Sequence, residues 1–72
     1  MKDKILDYRA NTLGATRDIR ARLRRAESGH TISFICSEEQ VVRLLREITF
    51  QDGTIISRTA SNEGVSITVR KT

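Results

Sequence analysis

The apolar residues switch between two spacings along the chain, and that switching narrows the available folds more than any other feature. From Leu13 to Glu27, Ala15, Ile19, Leu23 and Ala26 recur at intervals of four, four and three, which gathers them into one stripe of a helix. In HTISFIC (30–36) the period drops to two: Ile32, Phe34 and Cys36 share one face of a strand, with Ser33 and Ile35 on the other. SEEQ (37–40) has the form of a capping box, in which Ser37 and Gln40 serve each other's orphan N–H groups while Glu38 and Glu39 favour the positive helix end. The spacing of Val41, Leu44, Leu45 and Ile48 then predicts a second helix, stopped by QDG (51–53).

KILDYR (4–9) reads as a short strand before the first helix, and TIISRT and VSITVRK read as two strands joined by the turn ASNEG (60–64). Asn11 or Thr12 is the expected cap of the first helix, and Gly29 its left-handed stop. The order is β-α-β-α-β-β. Parallel strands require a crossover and consecutive antiparallel strands a hairpin, so the expectation is a mixed four-stranded sheet with both single-striped helices on one face. That is an α/β (α+β) two-layer sandwich, with residues 1–72 as a single domain.

Composition narrows the function. At 72 residues, a core must form near the lower size limit of unaided folding, and the lone Cys36 excludes an internal disulfide and any multi-thiolate metal site. His30 is the only histidine and has no second ligand at a recognisable spacing, so no metal or cofactor is expected. The N-terminal MKDKILDYR passes from charge into a strand-like run with no apolar leader, and nothing approaches a membrane span. The expected location is cytoplasmic, without membrane attachment. Ten of the thirteen basic residues behind the net charge of +4 are arginine, the side chain suited to bidentate contact with carboxylate or phosphate.

Arg17, Arg20 and Arg24 fall on one stripe opposite Ile19 and Leu23, flanked by Arg22 and Arg25. This surface could meet an acidic protein partner or track phosphates, or simply be a solvated face whose late arginines complement the helix dipole. No aromatic side chain is interleaved with these arginines, which counts against single-stranded nucleic acid. Cys36 precedes a helix N-terminus, where a thiolate gains stability, but its strand parity directs it toward the core and Glu38 and Glu39 oppose a negative sulfur. The serines have no base at a suggestive spacing, so a hydrolytic triad is not expected.

LDYR (6–9), a helix running to Gly29, an alternating strand, a second helix ending before Gly53 and a closing ITVRK (67–71) together resemble the TusA/SirA-like sulfur-carrier family over nearly the whole chain. That family carries Leu-Asp-x-Arg-Gly-Leu-x-Cys-Pro-x-Pro, and its cysteine, at the first turn of helix one, bears a persulfide. Leu6, Asp7 and Arg9 match the pattern. Ala10 stands for the Gly, Asn11 for the Leu, Leu13 for the Cys, Gly14 for the first Pro and Thr16 for the second. Leucine offers no lone pair for sulfur. The resemblance therefore implies the scaffold without the carrier chemistry. The leading expectation is a non-enzymatic module that docks an acidic protein partner, in sulfur-transfer or redox pathways, through Leu13, Arg17, Arg20 and Arg24. Helical phase sets Leu13 about 120° from the core direction of Ile19, so it should stand partly exposed. Two alternatives stay open: a sulfur carrier working through Cys36, and an RNA-binding module, because the arrangement is also similar to the C-terminal domain of translation initiation factor 3.

Overall fold

The computed structural model describes residues 5–72. Along the chain lie β1 (Leu6–Asp7), α1 (Thr12–Arg25), β2 (Thr31–Cys36), α2 (Glu38–Phe50), β3 (Gly53–Ser61) and β4 (Gly64–Lys71). The strands form one mixed sheet in the order β1-β2-β4-β3, with β1 parallel to β2 and β4 antiparallel to both its neighbours. Both helices pack on one face, giving the α+β two-layer sandwich. β4 inserts between β2 and β3, so the crossover through α2 skips a strand. The reason lies in burial: Val65, Ile67 and Val69 alternate along β4 and are all buried, whereas β3 exposes most of its length. The strand with a complete inward row takes the centre, and β3 takes the edge with a bulge between Ile55 and Ser57, a common way to blunt an exposed edge.

The core lies between the layers. Ile19 and Leu23 of α1 and Leu44 and Ile48 of α2 meet Phe34, Ile67 and Val69 of the sheet, all fully or almost fully buried. Tyr8 joins them from the β1–α1 junction, its ring centroid 5.3 Å from that of Phe34 in a tilted pair.

Element ends differ from the sequence expectation in instructive ways. β1 pairs only through Leu6 and Asp7, because Tyr8 already turns inward and its carbonyl accepts the Asn11 N–H at 3.1 Å; Lys4, the first residue of the expected strand, lies outside the described residues. α1 ends at Arg25, with Ala26 extended (φ −73°, ψ 141°). Gly29 does adopt positive φ (89°), but it serves the turn closed by the His30 N–H on the Glu27 carbonyl, 3.0 Å, rather than the helix stop. After α2 the left-handed residue is Asp52 (φ 61°). Gly53 is needed for close approach instead: a Cβ there would lie 2.7 Å from Ile48 Cγ2 and 2.9 Å from Val69 Cγ1. The final hairpin is tighter than ASNEG suggested, with Ser61 opposite Gly64 and only two residues between.

Candidate functional site

The β1–α1 junction is given over to structure. Arg9 forks onto Asp7 (Nε to Oδ1 2.9 Å, Nη2 to Oδ2 2.7 Å) and donates its remaining amine to the Glu63 carbonyl at 3.1 Å. The two charged residues of LDYR thus clasp the β3–β4 hairpin to the junction. The Arg9 hydrogen bonds lower the Asp7 pKa to about 2. Tyr8 donates its hydroxyl to Asp18 Oδ2 at 2.6 Å, and Asp18 also accepts from Arg22 Nε at 2.8 Å. Desolvation and the neighbouring carboxylate both push the Tyr8 pKa upward. Asn11 caps α1 by accepting the Gly14 N–H at 2.9 Å.

Gln40 ties α2 to this junction. Its Oε1 accepts the Ser37 N–H at 2.7 Å and its Nε2 donates to the Tyr8 carbonyl at 2.6 Å, with the side chain almost completely buried. Leu13, in the first turn of α1, is 88% exposed. The junction offers no thiol, no free base and no buried polar side-chain atom without a partner among the described residues.

The charged surface lies on the solvent side of the helical layer. Because β1 and β2 are parallel, α1 and α2 run in the same direction, and Thr12, Ala15 and Thr16 meet Glu39, Gln40 and Arg43 along a groove of about 270 Å³. Arg17 and Arg24 are exposed as expected. Arg20 departs from the expected free stripe. It reaches across to α2 and forks onto Glu47, Nε to Oε2 and Nη2 to Oε1 both at 3.1 Å, so its charge is matched and its stem packs between the helices. Its hydrogen bonds hold Glu47 below the usual carboxylate pKa. Gln51 extends the contact, donating to Glu47 Oε2 at 2.9 Å and accepting from Arg24 Nε at 3.4 Å.

The sequence places the basic stripe on α1, yet α2 contributes as much. Arg43, Arg46 and Phe50 lie opposite the buried Val41, Leu44 and Ile48 and project from the same side as Arg17 and Arg24; Phe50 is 82% exposed. Among the described residues Arg17, Arg43 and Arg46 have no carboxylate within ion-pair distance; the three ion pairs join Arg9 with Asp7, Arg20 with Glu47 and Arg22 with Asp18. Helical phase would have identified these α2 residues. The signal was in the sequence, on an element read only for its apolar face.

The remaining candidates have structural roles. Cys36 is fully buried against the core, and desolvation pushes its thiol pKa up, with Arg58 only partly opposing. His30 is exposed at the start of β2, in an open cleft with Arg22, Arg25, Ala26, Glu27 and Ile32, where Arg22 is already committed to Asp18. Among the described residues no cluster of His, Cys, Asp and Glu could hold a metal ion, and no helix is long and apolar enough to cross a membrane. No protein-family model matches this chain, and neither does any curated protein or solved structure.

Proposed function

We propose that this chain is a non-catalytic docking module that binds an acidic surface of a protein partner through the solvent face of its helical layer. The observation that carries the reading is the arrangement of Arg17, Arg24, Arg43 and Arg46 on one side, without carboxylate partners among the described residues, beside the exposed Leu13 and Phe50. Exposed arginine with interspersed large apolar groups is the composition of a protein-binding surface, where electrostatics steers and apolar contact anchors. Arg20 acts here as a strut, held by Glu47, that keeps the two helices in register.

The resemblance to TusA/SirA-like carriers favours a scaffold that lost its thiol, and partners drawn from sulfur-transfer or redox systems in a reducing cytoplasm. A carrier role through Cys36 is disfavoured, because a persulfide carrier needs an accessible thiolate and this sulfur is buried with a raised pKa. RNA binding has one observation on its side, the Phe50 ring beside Arg46. A single ring supplies only one base stack, so the protein partner is preferred.

The test is a fourfold charge reversal, Arg17→Glu, Arg24→Glu, Arg43→Glu and Arg46→Glu, in a cross-linked capture from the source cell. Four surface pairs at roughly 0.5 kcal/mol each total about 2 kcal/mol, or ~30-fold in affinity. Proteins captured by the native chain should be lost from the reversed one. Identical captured sets would refute the reading.

A further inference from the structure

Besides the face shared with α1, α2 presents a second apolar row. Val42 is 63% exposed, Leu45 half-buried, Thr49 exposed and Phe50 82% exposed, and with Arg46 they line a shallow trough of about 610 Å³. Val42, Leu45 and Thr49 follow i, i+3, i+7 spacing, so they form a continuous flank of the helix. Glu47 marks the opposite flank, the one joined to α1 through Arg20, and the Val42 flank therefore faces the β3 side of the sheet. There the layer is incomplete: Arg58 pairs in register with the buried, helix-side Ile67 but is itself exposed. An apolar floor thus lies with Arg46 on its solvent rim and Arg58 toward the sheet edge.

We infer that this trough seats an amphipathic helix of a partner protein, its apolar stripe on Val42, Leu45 and Phe50 and its flanking carboxylates on Arg46 and Arg58. The inference rests on the docking reading above and names the class of partner. Charge selects the occupant. Glu38 and Glu39 lie a turn before Val42, so positive potential concentrates on the C-terminal half of α2, where the partner's carboxylates belong. A second copy fits poorly, because a two-fold axis through Leu45 would set each Arg46 beside its symmetry mate on chains that each carry +4. An extended peptide added to β3 fits poorly too, because the bulge between Ile55 and Ser57 interrupts that edge. From Val42 to Phe50 the trough runs ~12 Å, about two helical turns, which matches anchors at i, i+3 or i+4 and i+7 of an incoming helix.

The experiment is a titration of the isotope-labelled full chain, followed by amide resonances, at low salt. One probe is a stapled peptide of about 14 residues with leucine at helical spacing and glutamate elsewhere; a second has the same composition scrambled so that no stripe forms. The stripe peptide should shift Val42, Leu45, Arg46, Thr49 and Phe50, bind at least ~10-fold more tightly than the scrambled one, and weaken by ~10-fold or more with Val42→Glu or Phe50→Glu. Both side chains are exposed, so these variants keep the core intact.

Equal binding of the two peptides, with shifts centred on Arg17 and Arg24, would overturn the helix seat and leave the acidic docking reading standing. No shift with either peptide would overturn both. Concentration-dependent shifts of the same α2 residues without peptide would overturn it in favour of a second copy. Tighter binding of a single-stranded RNA oligonucleotide at these residues would overturn it in favour of nucleic acid.

Discussion

Replacing Gln40 by alanine should remove about a third or more of the folding stability of this chain. The side chain is almost completely buried, accepts the Ser37 N–H at 2.7 Å and donates to the Tyr8 carbonyl at 2.6 Å. Alanine leaves the Tyr8 carbonyl with only the Asn11 N–H, a cost of about 1 kcal/mol, and the lost bond to Ser37 weakens the start of α2 by about 1 kcal/mol more. A small cavity at the meeting of β1, α1 and α2 brings the total to about 3 kcal/mol. A chain of 72 residues has roughly 4–11 kcal/mol available. In urea, with a slope of about 1 kcal/mol per molar for a domain of this size, the midpoint should fall by ~3 M.

Gln40→Glu separates the two bonds. The acceptor for Ser37 survives, but the donor to Tyr8 becomes an oxygen facing an oxygen, so the variant should be unstable at neutral pH. Burial and the facing carbonyl raise the pKa of this carboxyl in the folded chain, so stability should return as pH falls through that raised value and be fully recovered below about 4, the proton letting the group donate. A loss below ~1 kcal/mol in Gln40→Ala, or a Gln40→Glu variant with no pH response, would refute the claim that this residue joins α2 to the β1–α1 junction.

Two further predictions follow from the titratable groups. Asp7, Asp18 and Glu47 all have lowered pKa values: Asp7 and Glu47 chiefly through hydrogen bonds from Arg9 and Arg20, and Asp18 because bonds from Tyr8 and Arg22 together outweigh its desolvation. Their contribution is present above the ordinary carboxylate range, near pH 4, and is lost as pH falls toward 2; the urea midpoint should drop across that window, less steeply in Glu47→Gln, and a midpoint constant from pH 5 to about 2.5 would contradict it. The Cys36 thiol, buried and raised in pKa, should react with a disulfide reagent at pH 8 at least ~100-fold more slowly in the native chain than in denaturant, the ratio set by the free energy of opening. Comparable rates would return Cys36 to the list of accessible nucleophiles.

Much of the fold was legible because its signals are local. The Ile19–Leu23 stripe, the Ile32–Phe34–Cys36 alternation, the Asn11 cap and the Ser37–Gln40 box each act within a turn or two of chain. The same period arithmetic set Leu13 away from the core, and it stands 88% exposed. Where the reading fell short, the deciding partner was distant in sequence. Arg20 looked like one of a free stripe until Glu47, 27 residues on, came to its side. Gly53 looked like a helix stop, but its small size is required by Ile48 and Val69 packing over it. Arg43, Arg46 and Phe50 follow from the helical phase of α2, but their place beside Arg17 and Arg24 depends on how the two helices pack against each other.

By itself, then, the sequence determined the kinds and order of elements, the inward faces, the burial of Cys36 and the absence of a thiol at position 13, since these follow from periodicity, capping and residue identity. Tertiary structure decided that β4 rather than β3 occupies the centre of the sheet, that Asp7 and Arg9 hold the hairpin, and that Gln40 serves the junction as well as its own helix. Strand order and contacts between elements depend on which buried surfaces fit together across long loops of chain, a competition that no local pattern records.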